Sequence, residues 1–296
     1  MLYLFPLITV SIWAGNAIVN KMAFSVIDPG AISFYRWFFA MLVLTPFMAK
    51  SVWKARKTIT PYLPKIAFLA FLGMVLNQSL GYFAAETTTA TNMALIVSLV
   101  PLISMFISVP LLNSRLTPLA IVGAVLSLAG LILMLSHGDL SVLVNQGINK
   151  GDMLVLLAAF VYALYCVLLK RWQMPLSNWQ SVYSQGVLAV MMLTPLLLTS
   201  ERMAITPEAL PLIMYAAIPA SVFAPWCWLQ GIQRLGADRT AMFMNLMPVM
   251  TALIASVMLN EQLAIYHYIG GIMVLSGVAM AQKKPSKVKP IELATA

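Results

Sequence analysis

Charge is what this chain has least of. Asp, Glu, Lys and Arg make up 9% of its 296 residues, and 61% are hydrophobic. Soluble domains carry about a quarter charged residues, so the composition excludes a soluble globular fold and leaves an integral membrane protein. Acidic residues are scarcer than basic ones, 9 against 18, for a formal charge of +9. Such an excess can mark a nucleic-acid binder, but no segment is polar and basic enough to form a groove. Lysine and arginine gathered in cytoplasmic loops account for it. Cys166 and Cys227 are the two cysteines, both in apolar segments, which excludes a disulfide framework or cysteine metal site and predicts packing roles. No Walker-type phosphate loop occurs, so no ATP drive is expected from this chain. His137 and His267 sit in no His-Glu-x-x-His pattern and read as interfacial. Gly151-Asp152 opens a span outside its apolar centre. A membrane-embedded enzyme is therefore disfavoured, and no cofactor or metal is expected. The N-terminus has no cationic n-region and no small-residue cleavage site, and reads as a retained helix.

What is present is apolar helix. About 20 apolar residues cross a bilayer, and ten such spans can be read: 2–22, 30–49, 66–85, 91–112, 117–136, 153–170, 179–199, 209–232, 240–259 and 264–282. The fourth and fifth are parted by Arg115 within the turn signal Asn113 to Pro118. The chain also repeats itself. Ile12-Trp13-Ala14 returns as Val161-Tyr162-Ala163, Lys21 as Lys170, and Leu44-Thr45-Pro46 as Leu193-Thr194-Pro195, at a spacing of 149. Pro101 returns as Pro248, Leu112-Asn113 as Leu259-Asn260, and Gly123 and Gly130 as Gly270 and Gly277, at a spacing of 147. Ten spans divide into five and five. Five is odd, so the second half is expected upside down. The expected fold is an all-α membrane protein of ten transmembrane helices in two inverted five-helix repeats. Its parts are a first repeat 1–136, a linker 137–152, a second repeat 153–282 and a basic tail 283–296, expected to be disordered. Even-numbered connections and the tail hold fourteen lysines and arginines, the odd ones only Lys21, Lys150 and Arg202. That bias predicts both termini in the cytoplasm. Inverted halves with a site between them are the architecture of secondary transporters.

Polar residues are costly in lipid, so a polar stripe is expected to face a cavity or another helix. Helix 1 carries Trp13, Asn16 and Asn20 on one face; helix 3 carries Gln78, Tyr82 and Glu86; helix 8 carries Trp226, Gln230 and Gln233. Tyr162 and Tyr165 are the counterparts of Trp13 and Asn16. Ser98 and Asn245 are counterparts of each other, one turn before Pro101 and Pro248. One reading is a cavity with aromatic walls and amide groups, suited to a small amphipathic solute. The other is hydrogen-bonded helix contact. Pro101 and Pro248 interrupt their helices as paired hinges or as static kinks. Gly123, Gly130, Gly270 and Gly271 fit close helix contact. Arg36, inside helix 2, could attract a substrate carboxylate, or it could snorkel or pair with an acid; Lys21 offers the same choice. Glu86 is the candidate coupling carboxylate, with simple surface exposure as the alternative. Trp37, Trp53 and Tyr266 fit the interfacial aromatic belt.

The ordered set Trp13-Ala14-Gly15-Asn16 with Lys21, Phe34-Tyr35-Arg36, Pro101, and Gly123 with Gly130 is answered in the second half. The answering residues are Gly236-Ala237, Pro248, Leu259-Asn260-Glu261 and Gly270 through Gly277. This set resembles EamA-domain carriers of the drug/metabolite transporter superfamily across essentially the whole chain. The family often shows Leu-Gly-Glu at the end of the fourth helix of each half. Here the second half reads Leu259-Asn260-Glu261 and the first Leu112-Asn113-Ser114. Asparagine can hold the left-handed cap, so both turns should survive, while the missing glutamate makes the halves unequal. The resemblance implies an inner-membrane exporter of amino acids, other small metabolites or toxic compounds, holding solute between the halves. Organic cations or nucleobases are alternative cargo. Sugar phosphates are disfavoured by the scarcity of core charge. The expected partners are a small solute and lipid, without nucleic acid, in a monomer or weak homodimer.

Overall fold

The computed structural model describes residues 3–114, 116–141, 148–235, 240 and 242–282, without the side chains of Ile232, Gln233, Met242, Asn245 and Gln282. Among these residues every regular element is helical. In chain order they are α1 Leu4–Ala23, α2 Pro29–Lys54, α3 Arg56–Ala84, α4 Ala90–Leu112, α5 Pro118–Leu135, α6 Lys150–Trp172, α7 Asn178–Leu198, α8 Ala209–Gly231, α9 Met247–Met258 and α10 Ile265–Gln282. Seven of them, α2 through α8, are long and apolar enough to cross a membrane. Ten were expected. Asn16, Asn20 and Lys21 make α1 less apolar, and α9 and α10 are shorter apolar helices. Large exposed hydrophobic side chains such as Leu42, Phe47, Val257 and Ile265 cover the outside, as a multi-pass membrane protein requires.

Local chemistry sets the helix ends. Proline opens α2 and α5, where its missing N–H costs nothing. Thr89, Thr117 and Asn149 cap α4, α5 and α6 with side-chain oxygens. Ser177 and Gln180 form a capping box at α7. Asn113 and Asn260 both adopt φ near the left-handed value, 52° and 54°, so the turn survives in both halves despite the absent glycine.

Two irregularities recur at matching places. Helix α3 contains a π turn at Phe71–Leu76 and α8 another at Pro219–Phe223. The spacing of 147 places Gly73 opposite Ala220. A π turn inserts one residue and locally breaks the i→i−4 ladder. Helix α4 breaks at Ser98-Leu99, and Pro101 stands in the first turn of the segment that follows, Val100–Leu112. Pro248 likewise stands in the first turn of α9, after a 3-10 turn at Met242–Leu246.

Counterpart helices pack on each other, α5 on α10 and α2 on α7, while α1 lies on α8 and α9, and α6 on α3 and α4. The α5–α10 contact is antiparallel and very close. Gly123 meets the Gly277 carbonyl, and a Cβ added at Gly130 would stand 2.6 Å from the Gly270 carbonyl oxygen. The α2–α7 pair is antiparallel too: Gly30 lies against Leu196 and Ser200, and Thr45 Oγ1 is 3.0 Å from Tyr183 Oη. The bundle therefore has one end holding residues 24–28, 85–89, 199–208 and 260–264, which is poor in lysine and arginine, and an opposite Lys/Arg-rich end.

Candidate functional site

Between α2, α3 and α8 lies a buried polar junction. Arg36 of α2 is 5% exposed. Its Nε donates to Ser221 Oγ at 2.8 Å and its Nη1 to Tyr82 Oη at 3.4 Å. Ser221 belongs to the α8 π turn and donates its own proton to the Ala216 carbonyl at 2.8 Å, so the turn fixes the guanidinium. Tyr82 is 1% exposed. Trp13 reaches the same turn, donating from Nε1 to the Ala220 carbonyl at 3.1 Å, and packs against Trp228. Gly15 admits the Tyr215 hydroxyl, which donates to the Ile12 carbonyl at 3.1 Å. Among the described residues no acid partner of Arg36 is seen. Among the described residues the ion pair seen is Asp28–Arg202, at 2.9 Å and at the Lys/Arg-poor end.

A second cluster mirrors the first. Tyr162 and Tyr165 stack at 5.5 Å between ring centroids. The Tyr165 ring packs on Gly73 of the α3 π turn, where a Cβ would stand 2.8 Å away. Each π turn thus receives an aromatic side chain from the first helix of the other half. Gln185, the counterpart of Arg36 at the spacing of 149, is fully buried on α7 and donates to Ser181 at 2.8 Å.

Other expected residues lie elsewhere. Asn16 is half-buried beside Asn20, and its Oδ1 has no hydrogen-bond partner. Gln78 is half-buried on α3 one turn from Tyr82, and Ser98 bonds within its own helix to the Leu95 carbonyl. Trp226 is 41% exposed against Phe5 and Phe223, because it falls on the outer face of α8. Gln230 accepts a 3.4 Å bond from Arg234 toward the Lys/Arg-rich end. Glu86 is exposed in the turn after α3. The side chains of Gln233 and Asn245, and the tail 283–296, lie outside the described residues.

The Lys/Arg-poor end is clasped by Lys21, already a candidate at the end of the first span, and by acids that pattern reading left in or beside connections. Glu261 caps α4, accepting from Ala90 N at 2.8 Å, Thr91 N at 3.2 Å and Thr91 Oγ1 at 2.8 Å. A carboxylate there also meets the positive end of the helix dipole. Lys21 caps the end of α3, donating to the carbonyls of Ala85 at 2.6 Å and Thr88 at 2.8 Å. Asp152, read from sequence as outside the core, is 3% exposed and takes bonds from Thr88 Oγ1 and Asn92 Nδ2. Gly151 permits this by packing on the Ala84 carbonyl. The threonine run 87–89 with Asn92, facing the acids at 152 and 261, was the available signal. Asp28 accepts from the backbone N–H of Glu201 and of Arg202. The Arg202 N–H is the main cause that holds its carboxyl below the ordinary range. Lys21, Phe24, Glu208, Leu212 and Glu261 line an open cavity of about 560 Å³ at this end.

A helical membrane bundle with a buried polar junction and paired π turns is the class this geometry defines. The model of the EamA-like transporter family matches residues 1–136 and again 149–282. The chain belongs to that family. It is 28% identical to an uncharacterized transporter of Archaeoglobus fulgidus, covering 94% of this chain and 96% of the relative. It is 25% identical to the S-adenosylmethionine uptake transporter of Rickettsia prowazekii, over 88% of this chain and 83% of the relative. A solved crystal structure superposes with a TM-score of 0.61 at 19% identity, over 94% of this chain and 96% of that one, and so shares the fold.

Proposed function

We propose that this chain is a secondary transporter that exports amino acids or similar small metabolites across the bacterial inner membrane. It works by alternating access between two inverted five-helix halves. The observation that carries this reading is the antiparallel pairing of counterpart helices. Gly123 and Gly130 correspond to Gly270 and Gly277 in sequence, yet Gly123 meets Gly277 and Gly130 meets Gly270. A two-fold axis across the helices produces that crossing, and a simple translation would bring Gly123 to Gly270. An axis in the membrane plane makes the halves inverted, with ten crossings, both termini in the cytoplasm and the Lys/Arg-poor end outside. Glu261 and Asp152 then tie the two halves together at the external end, beside the open cavity that Lys21 and Glu261 line. Pro101 and Pro248, each at the start of a helical segment beside a break, are the proposed hinges.

Trp13, Asn16, Gln78, Tyr82, Tyr162 and Tyr165 line the proposed path; Trp226 is left out because it faces outward, and Glu86 because it is exposed. The relative named for uptake of S-adenosylmethionine, itself an amino-acid derivative, supports an amino-acid-like cargo. The Tyr162–Tyr165 stack supports a second reading, export of aromatic cations or nucleobases. The unit is taken as a monomer or weak homodimer whose partners are solute and lipid. The test is counterflow in proteoliposomes across labelled amino acids, cations and nucleobases. Saturable exchange of one class is expected. Alanine at Asn16, Gln78, Tyr82 or Tyr162 should lower it without loss of membrane insertion. Wild-type rates in all four variants would discard the site.

A further inference from the structure

We infer that Arg36 is the anchor for a carboxylate of the transported solute. This deepens the transport reading and rests on it. A guanidinium stays charged at any physiological pH, and a charge largely withdrawn from water without a counter-ion is unfavourable. Arg36 is in that position. Its two partners, Ser221 and Tyr82, are neutral hydroxyls. Among the acids described, Asp28 is bonded to Arg202, Asp152 to Thr88, and Glu261 to the α4 N-terminus, while the others lie in exposed connections. The molecule therefore holds a buried cation whose counter-ion is not among its described residues, and an anionic solute supplies one.

The remaining donors fit a carboxylate. Nε is committed to Ser221, and Nη1 makes a long bond to Tyr82. No bond from Nη2 is seen among the described residues. Nη1 and Nη2 form the fork edge that takes a carboxylate by two parallel bonds. Tyr82 accepts from Arg36, so its own O–H is free in direction and can donate to the same carboxylate. The counterpart of Arg36 is the neutral Gln185, so the junction offers one cation and orients the solute one way, carboxylate toward α2 and α8. Arg36 and Tyr82 come from the first half and Ser221 from the second. A carboxylate seated there bears on contacts between the halves, which is how occupancy would couple to their movement.

The test measures binding and transport separately. Purified protein is heated with each of a panel of amino acids and with its decarboxylated amine, and counterflow is run on the same panel. At least one amino acid should raise the melting temperature while its amine does not. Arg36→Met should weaken that amino acid at least tenfold in apparent affinity, and Arg36→Lys, which keeps the charge but loses the fork, should weaken it by less. Ligand-free Arg36→Met should melt at or above the wild-type temperature, since it removes an uncompensated buried charge; an arginine with a merely structural role would give a lower value. Should Arg36→Met fail to fold, Arg36→Lys carries the affinity comparison. Carboxylate binding unchanged in the variants, or stabilisation by amines alone, or by no amino acid, overturns the anchor. Saturable counterflow of an amine in those cases leaves the transport reading standing. Carboxylate binding through Arg36 without counterflow of any compound overturns transport alone.

Discussion

At the scale of single residues, charge position decides more than charge number. Glu261 satisfies two backbone N–H groups and a hydroxyl at the start of α4. Hydrogen bonds to a charged group contribute about 1.5–3 kcal/mol each. Glu261→Gln keeps the shape and loses the charge, so a drop in stability of about 1–2 kcal/mol is expected in thermal unfolding. Asp28 gives a pH signature. A carboxyl held below its ordinary value stabilises the fold fully above that value, near 3.9, and the contribution fades as pH falls through the lower folded-state value. The link between residue 28 and residues 201–202 should therefore hold above about pH 5 and loosen below about pH 4. Hydrogen exchange at the Glu201 and Arg202 amides reads this directly, and Asp28→Asn should show the loosened rate at every pH. The pair is partly exposed, so its net effect is about 1 kcal/mol or less. Arg36 was legible in the sequence as a cation inside a span. Its lack of an acid partner was not, because partners come from helices distant in sequence.

At the scale of elements, the duplicated glycines were legible as contact points, and the structure adds which meets which. Gly123→Ala forces its methyl onto the Gly277 backbone, where no side chain can move aside. A cost of about 1–3 kcal/mol is expected. Gly271→Ala meets only Leu95 at an ordinary 3.4 Å and should be neutral or slightly stabilising, since alanine is the better helix former. Melting temperatures of the two variants side by side test this. The asparagine helix caps followed from the Leu-Asn pairs at 112 and 259. The π turns at 71–76 and 219–223 did not follow from pattern, because inserting one residue leaves an all-apolar stretch looking uninterrupted. Gly73 and Pro219 mark them only in hindsight. Gly73→Ala would press on the Tyr165 ring and should reduce transport while leaving insertion intact, measured by counterflow.

At the scale of the whole molecule, the proposed halves are related in fold but unequal in chemistry. One end is tied by Glu261, Asp152 and Lys21 to the α3–α4 corner. The sequence places Ser114, Tyr3 and Lys170 at the corresponding positions of the opposite end. Identical halves would tie both ends alike, whereas this difference gives the Lys/Arg-poor end ties that the other end lacks. Composition made the membrane class legible, and the spacing of 149 and 147 made the duplication legible. Lys21 was legible at the end of the first span, while Glu261 and Asp152 were hidden because they lie at helix ends, where pattern reading sees only loops. The most direct test of alternating access measures two distances at once in nanodiscs. Spin labels at the exposed positions Glu86 and Glu201 span the Lys/Arg-poor end, and labels at Lys54 and Arg171 span the other. Introducing Glu261→Gln should lengthen the first distance and shorten the second in the same population. Two distances that stay fixed, or that lengthen together, would contradict inverted halves rocking about a central site.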